Sequence, residues 1–175
     1  LPTKTAYFTG DAADYAGLVL TASYSNGTTA EITEGYTVTG FDSQTAGQKT
    51  ITVEYEGKTT TFTVTIKAIE LVSVEIETTP DKTEYYTNEV FDATGLTLKA
   101  TYNNGTTAKI TEGYALGNVD MTTAGEKTVA VTYEGKTVNF TITVNALYIT
   151  NVEIETMPDK TEYVIGEAED NTGLT

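Results

Sequence analysis

The amino-acid sequence repeats itself at a fixed interval, and the copies align without insertion or deletion. A Pro-x-Lys-Thr motif begins at Pro2, at Pro80 and at Pro158, so the step from the first copy to the second equals the step from the second to the third. Copies of one module in a row are typical of an array, in which each unit contacts mainly its neighbours in the sequence. The repeat therefore indicates a role in length, spacing or multivalent binding rather than chemistry at one site.

The pattern of apolar residues within the copies predicts β-strands. In the second copy, apolar and polar residues alternate over residues 72–77, 96–102, 127–133 and 137–144. A period of two indicates a half-buried strand, and no segment carries a sustained helical period. The abundant threonine is β-branched and favours the same pleated structure. We therefore expect an all-β fold in which two small sheets pack into a sandwich in each unit.

Glycine-containing pairs between the predicted strands indicate tight turns. Asn104-Gly105 separates two strands of the second copy, and Asn-Gly pairs favour a type I′ hairpin turn. Glu134-Gly135 marks a second hairpin. The first copy carries the same signals, so the predicted turn residues are Asn26, Gly27, Gly57, Asn104, Gly105 and Gly135.

The charge balance is strongly acidic, with 10 basic and 25 acidic residues and a net charge of −15. Such a field repels phosphate backbones and anionic lipids, so we expect no nucleic-acid binding. No apolar run approaches the roughly 20 residues of a membrane-spanning helix, so we expect no membrane insertion. The chain has no Cys and no His, which excludes a disulfide framework, thiolate zinc sites and a cysteine nucleophile.

The remaining candidates for catalysis are carboxylates, lysines, tyrosines and hydroxyl groups. Asp14, Asp92 and Asp170 precede a Gly-Leu pair in the three copies, and Glu167 and Glu169 make the third copy the most acidic. An active site in every repeat is unusual, and the first two copies lack the density of acidic ligands that calcium requires. Acidic turn residues explain the pattern, so we expect no catalytic residues, no cofactor and no metal site.

Several short motifs occur in a fixed order in residues 80–137: P-x-K-T-x-Y, T-G-L-x-L-x-A-x-Y-x-N-G-T, I-T-E-G-Y and A-G-x-K-T. Residues 2–59 carry the same order, with Ala16 in place of Thr94. In these motifs the chain resembles the bacterial immunoglobulin-like domain, group 3. The resemblance implies tandem immunoglobulin-like sandwiches in an extracellular bacterial protein that is secreted or anchored to the cell wall.

The resemblance also implies where the domains begin, because the first strand of this family precedes the P-x-K-T motif. Residues 69–146 then form one complete domain. Residues 1–68 form a domain that lacks its first strand, and residues 147–175 form the first part of a third domain, with its first strand at residues 151–156. The junctions contain no Gly or Pro, so adjacent domains are expected to be closely coupled.

Two functions are consistent with this organisation. The first is a structural stalk or spacer that sets the reach of another domain, with neighbouring copies of the same domain as its partners. The second is adhesion, in which weak sites for a carbohydrate or host-surface ligand act together by avidity. Exposed tyrosines would carry such sites, and the candidates are Tyr85, Tyr86 and Tyr163 beside the Lys-Thr motif.

A third hypothesis concerns assembly. A sandwich without its first strand presents an unpaired edge. The candidate inter-chain strand contains Val152, Glu153, Ile154 and Glu155, and it is the counterpart of the strand that the first unit lacks. One chain could then complete the next and build a head-to-tail fibre.

Overall fold

The computed structural model describes residues 1–175 and contains thirteen β-strands and no helix. The predicted all-β fold is confirmed. The first unit contains β1 (Ala6–Phe8), β2 (Leu20–Ser23), β3 (Thr29–Ile32), β4 (Thr37–Thr39), β5 (Gly47–Tyr55) and β6 (Lys58–Lys67). The second contains β7 (Leu71–Thr78), β8 (Glu84–Tyr86), β9 (Thr97–Tyr102), β10 (Thr107–Ile110), β11 (Ala115–Leu116), β12 (Gly125–Tyr133) and β13 (Lys136–Asn145). None of the chain forms a helix with the length and apolarity needed to cross a bilayer.

The second unit is a sandwich of two sheets with the strand orders β10-β9-β7 and β11-β12-β13-β8. All pairs are antiparallel except β8 with β13, which run parallel. Because side chains alternate across each strand, every second residue points between the sheets. These inward residues form one buried core of Tyr85, Leu96, Leu98, Val129, Val131, Phe140, Ile142 and Val144.

The first unit has the same arrangement without a counterpart of β7. Its sheets have the orders β2-β3 and β1-β6-β5-β4, and β1 pairs parallel with β6 as β8 pairs with β13. Its core is smaller and contains Tyr7, Ile51, Val64 and Ile66. Leu20 is only half-buried, whereas its counterpart Leu98 is completely buried under β7.

The two hairpins of each unit use different turns. The β2–β3 and β9–β10 turns are not of the predicted type I′, because only their glycines, Gly27 (φ 84°) and Gly105 (φ 82°), have positive φ. Hairpins with this pattern usually consist of a type I turn followed by one left-handed glycine. The type I′ geometry occurs instead at the Glu-Gly pairs, where Glu134 (φ 44°) and Gly135 (φ 77°) are both left-handed.

Residues 147–175 contain no strand, so the expected strand over residues 151–156 is not formed in this chain. A β-strand needs a neighbouring strand to satisfy its backbone groups, and none lies beside this segment. Its apolar side chains are consequently exposed, with Val152 at 81% and Ile154 at 64%.

Candidate functional site

The repeated P-x-K-T-x-Y motif forms a compact cluster of lysine, tyrosine and carboxylate. In the second unit Lys82 Nζ lies 4.6 Å from the ring centroid of Tyr85 and 2.9 Å from Glu89 Oε2. The Tyr85 hydroxyl lies 3.0 Å from the carbonyl oxygens of Lys82 and Asp92, and it accepts a hydrogen bond from Asp92 N. The motif therefore ties the connection between β7 and β9 to the core.

The first unit repeats this cluster closely. Lys4 Nζ lies 4.4 Å from the Tyr7 ring and 3.0 Å from Asp11 Oδ2, and the Tyr7 hydroxyl donates to Asp14 O. The backbone N–H of Phe8 and the Lys4 ammonium both bond to Asp11 and hold the pKa of its carboxyl below the ordinary value. Hydrogen bonds from Lys82 and from the Tyr86 N–H do the same to the pKa of Glu89 in the second unit.

The third copy forms the cluster although no core lies beneath it. Lys160 lies 5.0 Å from the Tyr163 ring and pairs with Glu167, and the Tyr163 hydroxyl donates to Asp170 O at 2.6 Å. The motif is therefore encoded locally, by residues within one short loop.

The structure corrects one tyrosine candidate for ligand binding. Tyr85 is 1% exposed and belongs to the core, so it cannot stack on a ligand. Tyr163 is 40% exposed, but it is the counterpart of Tyr85 and of the buried Tyr7. Tyr86 is 52% exposed and points away from the core. Its counterparts are Phe8 and Val164, so this aromatic position is not a tyrosine in the other copies.

The acidic side chains do not form a cluster that could hold a metal ion. No three acidic side chains converge on one point. Asp92 accepts hydrogen bonds from the hydroxyl and the backbone N–H of Thr94, which lower the pKa of its carboxyl. The Asp92 carboxylate therefore accepts hydrogen bonds within its own turn.

The chain enters and leaves the second unit at opposite ends. Leu71, the first residue of β7, pairs with Tyr102. Burial and the neighbouring Tyr102 raise the pKa of Tyr133, the last residue of β12, so this end of β7 lies beside the β12–β13 turn. Strand β13 then runs away from that turn for 10 residues and ends at Asn145. At about 3.3 Å per residue, the two ends are roughly 30 Å apart.

The short connection between the units, residues 68–70, is held by one side chain. Asn103, in the β9–β10 turn, donates from Nδ2 to Ala68 O (3.0 Å) and accepts at Oδ1 from Glu70 N (3.1 Å). Its backbone N–H also donates to Glu70 O at 3.0 Å. Sequence reasoning missed this residue, although one signal was available: the repeat breaks here, because Ser25 occupies the same position in the first copy.

The same backbone hydrogen bond holds the end of the last strand in both units. The backbone N–H of Thr9 donates to Lys67 O in the first unit, and that of Thr87 donates to Asn145 O in the second, each at 2.9 Å. Thr87 Oγ1 also accepts a hydrogen bond from Leu147 N at 3.3 Å. The end of the last strand is therefore fixed by hydrogen bonds in both units.

The first unit carries an open groove along β2. A cavity of about 510 Å³ lies between the two sheets and is lined by Leu20, Ala22, Ile32, Val53 and Tyr55. A second cavity of about 280 Å³ continues it past Leu18 and Phe62. In the second unit β7 lies along the corresponding edge, where it pairs with β9.

Comparison with known proteins gives one family. The model of the bacterial Ig-like domain (group 3) matches residues 1–66 and 78–144. Pectate lyase L of Thermoclostridium stercorarium is 44% identical over 112 residues, which cover 63% of this chain and 9% of that protein. Exo-beta-1,6-galactobiohydrolase of Bifidobacterium longum subsp. longum is 38% identical over 103 residues, 55% of this chain and 7% of that protein. The matched region is thus less than a tenth of each relative.

Two solved structures are also similar. A solution structure described as that of a surface protein has 23% identity and a TM-score of 0.28, and the match covers 49% of this chain and 98% of that one. Domains 4 and 5 of the S-layer protein SbsC have 15% identity and a TM-score of 0.37, and the match covers 73% of this chain and 80% of theirs.

Proposed function

The chain belongs to the bacterial Ig-like domain family (group 3), and on that basis we propose that it is a non-catalytic spacer within a larger extracellular protein. The observation that carries the proposal is the separation of the two ends of the second unit. A domain with its chain ends on opposite sides lengthens a chain each time it is repeated. A domain with its two chain ends side by side would not lengthen the chain in this way.

The junctions support the same role. Residues 68–70 are too few to act as a free tether, and Asn103 bonds to both Ala68 and Glu70. A spacer that sets a distance needs such restrained joints, because a flexible joint averages over many separations.

The two curated relatives are named as enzymes, and the match spans only a small fraction of each. We therefore place this chain beside a catalytic or binding region of a secreted or surface protein, at a distance that the number of repeats determines. Adhesion through a repeated aromatic site has less support, since the position of the exposed Tyr86 holds Phe8 in the first copy and Val164 in the third.

The test is a distance measurement between the two units. The chain has no Cys, so two introduced cysteines carry the only spin labels. Thr63 and Thr141 are exposed counterparts in β6 and β13, and T63C/T141C should give one narrow distance peak at roughly 30–40 Å. The matched control carries a Gly-Ser insertion between Ala68 and Ile69 and should broaden the peak. If the distance peak without the insertion is as broad as the peak with it, the spacer role is contradicted.

A further inference from the structure

Two paired strands of the second unit connect to its two opposite ends. Strand β8 follows β7, through which the chain enters, and it pairs in parallel with the end of β13, through which the chain leaves. We propose that this parallel pair is a mechanical clamp that keeps the unit folded when the chain is pulled from both ends, a function that rests on the proposed spacer role.

A pull on the two ends of the unit loads the clamp in shear. After β7, strand β8 is the next element to bear the pull, which acts at its first residue, Glu84, toward the end where the chain enters. The pull on β13 acts at its last residue, Asn145, in the opposite direction. The strands are parallel, so they must slide along each other before they separate. The hydrogen bonds lie across the direction of sliding and are stretched together, whereas strands that are peeled apart lose their bonds one at a time.

Backbone hydrogen bonds hold the clamp at both of its ends. The Thr143 N–H donates to Thr83 O just before β8, and the Thr87 N–H donates to Asn145 O just after it, each at 2.9 Å. The first unit has the same two bonds in the same places, from Thr65 N to Thr5 O and from Thr9 N to Lys67 O, again at 2.9 Å. The clamp is therefore a feature of the repeat.

The inner side of the clamp is closed to water. Between the two bonds Tyr85 lies beside Val144, and each side chain is 1% exposed. Water that cannot reach a stretched hydrogen bond cannot replace it, and a bond in surroundings of low dielectric constant is stronger than one in water. The burial of Tyr85 thus supports the clamp.

Thr87 offers a way to weaken the clamp while keeping the turn that follows it. It is the second residue of a four-residue turn in which Glu89 N donates to Tyr86 O at 3.1 Å. The third residue, Asn88, is left-handed (φ 67°) and Thr87 is not, which defines a type II turn. Proline is favoured at the second position of such a turn. T87P therefore keeps the turn but removes the N–H that donates to Asn145 O.

The matched control for T87P is T87A. Both variants lose the Thr87 hydroxyl, which accepts a hydrogen bond from Leu147 N, but only T87P also loses the backbone donor. A difference between them therefore reports the bond from Thr87 N to Asn145 O.

The test is the folded lifetime of the second unit at constant force, measured on single molecules of the 175-residue chain. The chain has no Cys, so introduced cysteines are the only attachment points. I69C/A146C pulls the unit between its two ends. I69C/K136C is the control, because Lys136 begins β13 at the end where the chain enters, and the pull then acts across the strands. The lifetime should be at least about tenfold longer in I69C/A146C, because several bonds must break together.

The variants at Thr87 identify the bonds that resist the pull. Relative to T87A, T87P should shorten the lifetime about threefold to tenfold in I69C/A146C and leave it unchanged in I69C/K136C. Equal lifetimes in the two pulling geometries would overturn the clamp. So would a T87P that matches T87A, or one that shortens the lifetime equally in both geometries, which is the result of general destabilisation.

The clamp and the spacer role can fail separately. The force measurement concerns one unit, whereas the spacer role fails if the distance peak between labels at residues 63 and 141 is broad in the absence of force. A narrow distance peak together with equal lifetimes in the two geometries would keep the spacer and exclude the clamp.

Discussion

The tyrosine of the repeated motif is held by its ring and by its hydroxyl group. The Tyr85 ring lies in the core below Lys82. Its hydroxyl hydrogen-bonds to backbone carbonyl groups on both sides of the connecting loop, those of Lys82 and Asp92. One side chain thereby joins a loop that has little core of its own to the sheet beneath. The same geometry at Tyr7 and Tyr163 makes this a property of the motif rather than of one unit.

Removing the Tyr85 hydroxyl should destabilise the second unit. Y85F leaves the ring in place but removes the partner of two carbonyl groups and of the Asp92 N–H, at a cost of about 1–2 kcal/mol in the free energy of unfolding. Urea denaturation followed by circular dichroism measures it. Y86F is the matched control, because Tyr86 is exposed, and it should change little. Equal effects of the two variants would contradict the assigned role.

The carboxylate of Glu89 should stabilise the fold in a pH-dependent way. Lys82 and the Tyr86 N–H lower its folded-state pKa, so its stabilisation is present above the ordinary pKa of about 4.3 and is lost as the pH falls through the folded value. E89Q should therefore lower the melting temperature at pH 7, and the difference should vanish near pH 2. Glu112, which forms no ion pair, provides the control E112Q. A difference that persists at low pH would exclude the ionised carboxylate as the cause.

The sequence predicts which residues belong to the motif but not which of its tyrosines points inward. Alternation assigns a face when a strand is long, as in β13, where Phe140, Ile142 and Val144 are all buried. Strand β8 has only 3 residues and two adjacent tyrosines, so the alternation allows either tyrosine to point inward. Its parallel pairing with β13 determines which tyrosine points inward. That pairing places Tyr85 beside Val144, which lies far away along the chain.

At the scale of elements, β7 accounts for the difference between the two units. With β7 in place, Leu98 and Ala100 are completely buried; without its counterpart, Leu20 and Ala22 are half-buried. The sequences of β2 and β9 are similar enough for the missing neighbour to explain the difference. A first strand thus supplies both an edge partner and part of the core.

The β2–β3 hairpin should consequently exchange its amide hydrogens faster than the β9–β10 hairpin. Its strands lack the outer neighbour and part of the apolar cover that oppose local opening. Hydrogen exchange by mass spectrometry, on peptides covering residues 20–32 and 98–110, measures the difference. Equal protection of the two hairpins would mean that β7 is not the stabilising element.

Long strands and the positions of turns could be predicted from the sequence, since alternation and Asn-Gly or Glu-Gly pairs are local signals. The turn type could not. Asn104 accepts hydrogen bonds from Thr106 at its side-chain oxygen, and only Gly105 becomes left-handed. The length of the connection, which depends on the strand register, determines this geometry. The strand over residues 151–156 was expected from its own alternation, but forming it requires a partner strand.

At the scale of the whole molecule, the proposed spacer role depends on how the units are joined. The separation of the two ends of a unit sets the length that each repeat adds, and the connection between units determines whether that length is kept. Asn103 is the one side chain that bonds to both Ala68 and Glu70. The contact joins residues on either side of the boundary between copies, so the pattern within one copy does not predict it.

Loss of the Asn103 side chain should loosen the joint. N103A removes two hydrogen bonds to residues 68–70, so the distance peak between spin labels at residues 63 and 141 should broaden. The matched control is S25A, which changes the same position in the first unit. A peak as narrow in N103A as in S25A would mean that other contacts hold the joint.

The most direct test of the spacer is to add a repeat and measure the length gained. A second copy of residues 69–146 is inserted after Ala146, and small-angle X-ray scattering of a dilute sample gives the maximum dimension. We expect each added unit to extend the molecule by the same roughly 30–40 Å. A maximum dimension that barely changes, as when an added unit folds back on its neighbour, would contradict the account.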